Sequence, residues 1–315
     1  MELESTVCCL CRRPSTDPVG VGRDFEYDTS PAEFLAVQCR ECQVVYLDPR
    51  PTSSELSTIY PDNYHAFDFE PAGYGVVYRV RRRLEARRLL NSLGPLPARA
   101  RVLDVGCGDG FHLDVLRDFA PDSWQLEGVD VDRRAVAAGR AKGLKIHEGT
   151  IESLEQADRT VGQYDAAMMI MLVEHVSDPV AVLESTRRLV RPGGRILVVT
   201  DNTNSPDFKL SRRRHWGGYH FPRHWYLFNS HSLATLGVKA NLEVASMSTI
   251  VSPVNWTFSL RNLLVDMGAP QSVTRHLGLT SPFPLAAFTA LDLVMRLAGR
   301  GGVLSAVFRR PEAEA

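Results

Sequence analysis

Two pairs of cysteines and a run of glycines are the residues whose types and spacing could do chemistry. Cys8-x-x-Cys11 and Cys39-x-x-Cys42 are two knuckles. Each can set two thiolates on one tight turn, and two such turns complete a tetrahedron around zinc. Four protein ligands leave no open coordination position, so the expected ion is structural, and the polar stretch between the knuckles would draw folding energy from it. Cys9 could stand in for Cys8, though with poorer spacing. The second constellation is Asp104-Val105-Gly106-Cys107-Gly108-Asp109-Gly110. Its glycines allow positive φ and a close backbone approach to a ligand, and the helix expected next adds partial positive charge suited to a carboxylate.

Phe111 stands where a dinucleotide fingerprint needs its third glycine. Asp104, two residues ahead of Gly106, would repel a pyrophosphate but suits an ammonium. A ligand with both an amine and a carboxylate therefore fits better than NAD, and the methionyl end of S-adenosylmethionine carries both. Gly106, Cys107 (through its backbone), Gly108 and Gly110 are expected around that end. Asp130, about 20 residues on, can accept from ribose hydroxyls, with Val131 beside it. Thr150 and Ile151 would border the adenine, Met171 would lie near the donor, and Tyr64, with Tyr60, would close over it.

These residues must be held by strands that deliver them to one edge. Short apolar runs predict parallel strands at 101–105, 125–130, 144–147, 164–170 and 195–200, alternating with helical periodicity. Asp104, Gly106, Asp130, Thr150 and Met171 then fall at the carboxyl ends, where such sheets bind ligands. The expectation is an α/β, Rossmann-like, doubly wound sheet. Further strands are expected at 44–47, 242–247 and 303–308, and apolar helices at 254–267 and 283–297.

The ordered motifs resemble class I S-adenosylmethionine-dependent methyltransferases of the ubiquinone-biosynthesis type. Val102-Leu103-Asp104-Val105-Gly106-Cys107-Gly108-Asp109-Gly110 looks like their first motif, and Gly128-Val129-Asp130-Val131-Asp132 like their ribose-binding motif. Glu174-His175-Val176-Ser177-Asp178-Pro179 and Leu189-Val190-Arg191-Pro192-Gly193-Gly194 resemble the later signatures. The resemblance implies a seven-stranded sheet whose last strand is inserted antiparallel. The cysteine-rich head, with Asp48-Pro49-Arg50-Pro51 and the Tyr60/Tyr64 loop, resembles zinc-containing methyltransferases of natural-product pathways, sugar C-methyltransferases among them. In the latter a Glu-His pair is implicated in proton transfer. His224 matches the histidine, whereas Arg223 stands at the acid and their extra C-terminal domain has no counterpart here, so a sugar acceptor is not expected.

Methyl transfer is an in-line displacement, and a base is needed only where the acceptor must lose a proton. His224 is the first candidate for that base and His175 the second. Trp216, Tyr219 and His220 crowd the same aromatic segment beside Gly217-Gly218 and would line the acceptor site beneath a lid. Two domains are expected: a ribbon over 1–52 and a methyltransferase domain over 53–315, with insertions at about 205–235 and 253–298 for lid and substrate.

With 36 basic and 37 acidic residues the chain is near neutral, which speaks against a hold on nucleic acid. The expected acceptor is small or lipophilic; an RNA or protein methyltransferase, or a binding module without turnover, is the alternative. The basic clusters at 79–88 and 212–214 are read as solvated faces or anion-facing patches. No signal peptide or membrane span is expected, which points to the cytoplasm with contact to a membrane surface left open. The apolar C-terminal helices read most simply as extra core or a homodimer face, and otherwise as walls of a greasy acceptor pocket or as a rest on a membrane surface.

Overall fold

The segment between the knuckles builds more structure than its composition suggested. In the computed structural model, which describes residues 1–61, 64, 75–157 and 162–312, five strands form the head: β1 (Leu3–Glu4), β2 (Thr16–Gly22), β3 (Phe34–Cys39), β4 (Val45–Leu47) and β5 (Arg50–Pro51). β1 pairs with β5, and β2, β3 and β4 make an antiparallel meander. Phe34, Ala36, Val37, Tyr46 and Leu47 are buried, and each large side chain among them contributes about 1.5–3 kcal/mol.

A short turn of helix, α1 (Leu56–Ile59), and the long α2 (Gly75–Leu93) lead into the main sheet. There β6 (Arg101–Val105), α3 (Phe111–Phe119), β7 (Gln125–Asp130), α4 (Arg133–Ala141), β8 (Lys145–Glu148), α5 (Ile151–Gln156), β9 (Tyr164–Ile170), α6 (Pro179–Leu189) and β10 (Val190–Asp201) alternate. Then come α7 (Pro206–Ser211), β11 (Tyr226–Leu227), α8 (Ser230–Lys239), β12 (Glu243–Ile250), α9 (Val254–Asp266), α10 (Gln271–Thr274), α11 (Pro282–Leu297) and β13 (Val303–Arg309).

The seven-stranded order is β12-β13-β10-β9-β6-β7-β8. β13 runs antiparallel to both neighbours, and the pairs among β6 to β10 are parallel. This is the expected doubly wound sheet with its antiparallel insertion. The chain winds outward in both directions from β6 and β9, so the crevice at their carboxyl ends is the topological switch point. Helix starts are built from local chemistry: Asp132 caps α4 through the amides of Arg134 and Ala135, and Asp178 caps α6 ahead of Pro179, each worth about 1 kcal/mol.

Side-chain layers cover both faces of the sheet. One core joins α2, α3 and the strands between them; the other runs from α6 and α8 into the buried residues of the head. The head is further tied in by β11, which pairs with β4 through Tyr226↔Tyr46 and Leu227↔Val45 and completes a four-stranded sheet. At Gly22 a Cβ would fall 2.7 Å from the Phe221 ring and 2.9 Å from the Arg214 carbonyl, so only glycine lets the 205–235 insertion lie against β2. Of the basic cluster on α2, Arg82 is buried in an ion pair with Asp114 and Asp118 of α3.

Candidate functional site

β6 delivers Asp104 and the glycine turn to the switch point. The turn's own N–H groups are largely engaged: Gly106 and Cys107 donate to the Val129 carbonyl, Gly110 to the Cys107 carbonyl, and Gly108 to Asp130 Oδ2 at 2.7 Å. What it offers a ligand is therefore a smooth, open surface rather than a ring of unbonded amides. Gly106, Gly108 and Gly110 all have positive φ, and among the described residues a Cβ at Gly108 would meet nothing within 4 Å. The Cys107 side chain is buried against Gly128, where a Cβ would come within 2.6 Å of its sulfur.

Asp104 is 1% exposed, and its Oδ2 has no hydrogen-bond partner among the described residues. Burial pushes its carboxyl up to about 7, His112 pulls it down, and Asp130 pushes it up again. His112 Nδ1 lies 4.0 Å from that oxygen, while its Nε2 faces Glu85 of α2 at 3.3 Å. Asp130 accepts from Gly108 on one oxygen and from the Asp132 amide on the other; each oxygen keeps a second lone pair. Beside it Val131 is 66% exposed, an apolar surface at the site's rim. Thr150 caps α5, Ile151 is buried under that turn, and Met171 stands just past β9 with φ of +53°.

The histidines gather at the next strand ends. Ring centroids lie 4.5 Å apart for His175 and His224, 5.0 Å for His220 and His224, and 6.4 Å for His175 and His220. His224 is buried, and its Nδ1 lies 2.8 Å from the Gly218 carbonyl. A carbonyl can only accept, so Nδ1 carries the proton and Nε2 the lone pair. Burial, then the neighbouring His175 and His220, hold its pKa well below 6.5. Asp201, at the end of β10, approaches Nδ1 to 3.6 Å. His175 Nδ1 lies 2.9 Å from the Tyr60 hydroxyl and 3.2 Å from the Arg223 carbonyl. His220 pairs with Glu26 at 2.6 Å and lies 3.4 Å from the Tyr64 hydroxyl. His220 itself has φ of +41°; left-handed non-glycine residues cost about 1–3 kcal/mol and gather at functional sites.

Glu174, His175 and His224 each offer a donor atom within 4.8 Å of the others. Glu174 accepts from Thr200, and its Oε1 has no hydrogen-bond partner among the described residues; burial, reinforced by Asp201, pushes it up to about 8. Trp216 and Tyr219 are each 1% exposed. The Trp216 indole N–H donates to Asp207 and the Tyr219 hydroxyl to the Arg212 carbonyl. Their packing knits the insertion together, and of the three aromatic candidates only His220 joins the histidine cluster.

Glu26, Asp24, Asp201, His112 and Glu85 join these sites without having been legible in the sequence. Nothing in their spacing marks them; strands and helices far apart in sequence bring them in. Arg223, noted only as a departure, is fully buried against Asp24 and 4.5 Å above the Tyr27 ring.

At the head, Cys8, Cys11, Cys39 and Cys42 place their sulfurs within 4.8 Å of one another, with Cys8 to Cys42 at 3.1 Å and Cys11 to Cys39 at 3.4 Å. A tetrahedral zinc with bonds of about 2.3 Å would set its thiolates about 3.8 Å apart. Cys8, not Cys9, is the member of the cluster.

The methyltransferase domain family matches residues 78–247, over half of the chain. The ubiquinone biosynthesis O-methyltransferase of Aeromonas salmonicida (strain A449) is 32% identical over 108 residues, 33% of this chain and 44% of that protein. That of Bordetella avium (strain 197N) is 34% identical over 112 residues, 34% of this chain and 45% of that protein. The chain thus spans under half the length of these relatives. The phosphoethanolamine N-methyltransferase 2 of Haemonchus contortus, in complex with S-adenosyl-L-methionine, superposes with a TM-score of 0.51 at 15% identity, over 95% of this chain and 69% of that one, a likeness of fold.

Proposed function

Because the chain belongs to the methyltransferase domain family, we propose that it moves a methyl group from S-adenosylmethionine to a small or lipophilic acceptor held at the three-histidine cluster. The observation that carries this reading is a juxtaposition. β6 and β9 are paired neighbours; one ends in the glycine turn and the other runs into His175, which stacks edge-on to His224. A donor site and a proton acceptor thus share one sheet edge.

The residues fit the donor. The buried Asp104 Oδ2, without a hydrogen-bond partner among the described residues, suits an ammonium, the surface that those residues leave open over Gly108 suits the aminoacyl chain, and the spare lone pairs of Asp130 suit ribose hydroxyls. Val131 would lie against the adenine, with Thr150 and Ile151 at its edge and Met171 and Tyr64 near the sulfonium. When bound, S-adenosylmethionine supplies an electrophilic methyl group. On the acceptor side His224 Nε2 takes the proton that the acceptor's nucleophilic atom gives up, and Asp201 and the Gly218 carbonyl orient the ring through Nδ1. His175 and His220 position the ring and contact the acceptor. The matched relatives' names, ubiquinone biosynthesis O-methyltransferase, support a hydroxyl as that atom. Zinc held by Cys8, Cys11, Cys39 and Cys42 would be structural, since four thiolates fill its coordination.

The test is transfer of label from methyl-labelled S-adenosylmethionine to fractionated metabolites and lipids, with RNA and protein fractions in parallel. Label in a small-molecule fraction is expected. Label confined to RNA or protein, or no transfer into any fraction, would overturn the proposal.

A further inference from the structure

Helix α11 buries its one acid and leaves a run of apolar side chains bare. Its acid, Asp292, is 0% exposed and accepts from the amides of Ser252 and Gly302 and from the Trp256 indole. Phe283, by contrast, is 86% exposed, Leu297 83%, Val294 59% and Leu293 45%. Phe283, Ala287, Ala290, Val294 and Leu297 recur at three- and four-residue spacing and so share one face. Asp292, nine positions after Phe283, falls on the opposite side at about 100° per residue. The side turned to the protein holds the acid among the partly buried Leu285, Phe288 and Met295, with Phe288 stacked on Trp256, and the side turned away is apolar as well. A contiguous exposed apolar face of this kind marks an interaction surface.

Charge around the face selects its occupant. Between residues 254 and 302 the basic side chains are Arg261, Arg275, Arg296 and Arg300, and the acids are Asp266 and Asp292. Asp292 is buried, and Asp266 is taken by Arg214 and His215. Arg300, three residues past Leu297, is exposed, whereas Arg296 lies only about 40° round the helix from Asp292 and donates to the Thr249 carbonyl. Arg300 shares a crevice with Lys209 and Leu210, which is itself 81% exposed. The patch is thus apolar at its centre and cationic at its rim. A two-fold contact with a second copy would set this rim against itself, like charge on like.

We propose that this face seats the protein peripherally on an anionic phospholipid surface, with α11 lying along the headgroup boundary and Arg300 and Lys209 on lipid phosphates. A surface helix needs an apolar face and a basic border to bind in this way. Among the described residues no helix is long and apolar enough to cross a membrane, so the contact is with one leaflet. It is independent of methyl transfer and is read by binding alone.

The experiment is flotation of the full chain with vesicles of phosphatidylcholine containing about one-third phosphatidylglycerol, and with vesicles of phosphatidylcholine alone. Flotation with the anionic vesicles is expected, weaker with the neutral ones and at about 0.5 M salt. The double variant Phe283→Ser/Leu297→Ser should lose at least about tenfold in partitioning, and Lys209→Glu/Arg300→Glu should lose the preference for anionic lipid. Both leave core contacts intact, and an unchanged melting temperature confirms folding. Wild-type protein that floats with neither vesicle, or a double variant that floats as well as wild type, overturns the proposal. So does a dimer in sedimentation velocity that the double variant abolishes, which would assign the face to a second copy.

Discussion

Arg223 and Asp24, 199 positions apart, form a two-pronged ion pair in which neither side chain is exposed. It bolts the head to the insertion one residue before His224, so a cut in this pair is felt both in stability and at the cluster. Removing one partner of a buried pair leaves the other's charge unpaired. Arg223→Met is expected to cost about 3–5 kcal/mol in urea unfolding, and Asp24→Asn a smaller but clear amount. Burial would raise the Asp24 carboxyl, but Arg223, the Tyr27 amide and Thr29 overcome it and hold it below its ordinary value. A carboxyl depressed in the fold lends stability above its unfolded pKa, about 3.9, and loses it as pH falls through the lower folded value. Asp24→Asn should flatten this acid limb. An unaltered limb would mean that other groups set it.

The contrast with the sequence reading is instructive at this pair. The strands at 101–105, 125–130 and 164–170 could be placed because a buried parallel strand is a run of apolar residues closed by a glycine turn or a helix cap, all of it local. Asp24 lies in a stretch whose β2–β3 hairpin has no such signature, and its partner is defined only once β11 pairs with β4. The same holds for Trp216 and Tyr219: the aromatic crowding is legible, but not the hydrogen bonds to Asp207 and the Arg212 carbonyl that fix the two rings. The apolar pattern of α11 reads alike whether its face is covered or bare; only the buried Asp292 reveals that it is turned outward.

Zinc in the head is tested by content and by removal. One ion per chain is expected by atomic absorption, and Cys39→Ser should lose it. Because such an ion supplies folding energy, chelation should lower stability by several kcal/mol. Its effect should reach beyond the head, since the head's buried residues share a core with α6 and α8. A chain that binds no zinc, yet melts as before with chelator, would leave the four thiols as packing.

At the donor site Asp130→Ala should weaken S-adenosylmethionine binding by about 1–3 kcal/mol in calorimetry. It should also loosen the turn, because the Gly108 and Asp132 amides lose their acceptor. Asp104 gives the pH sign. Burial raises its folded pKa to about 7, so the apo fold is favoured with the proton on. That stability is complete below the ordinary aspartate value and is lost as pH rises through about 7. A ligand ammonium favours the carboxylate, so binding near pH 6 should release a proton and tighten as pH rises. Calorimetry in buffers of different ionisation enthalpy reads the release directly, and Asp104→Asn should abolish it. Proton uptake instead would show that the ammonium sits elsewhere.

His224 carries the last prediction. In the fold its neutral form is favoured, by burial first and then by His175 and His220, so its folded pKa lies below the unfolded value of about 6.5. The stability it lends is present above that value and is lost as pH falls through the folded one. For turnover the consequence is an acid limb displaced well under pH 6.5, because the imidazole is still a base where an ordinary histidine is half protonated. His224→Ala should cut kcat by about a hundredfold or more while leaving S-adenosylmethionine affinity unchanged. His175→Gln removes a neighbour that disfavours the imidazolium, so it should move the limb back toward 6.5 with a smaller loss of kcat. A purely structural histidine would lower the amount of folded enzyme without shifting the limb. If His224→Ala kept the wild-type profile, the proton would have to leave by another route, and His175 would be the next group to remove.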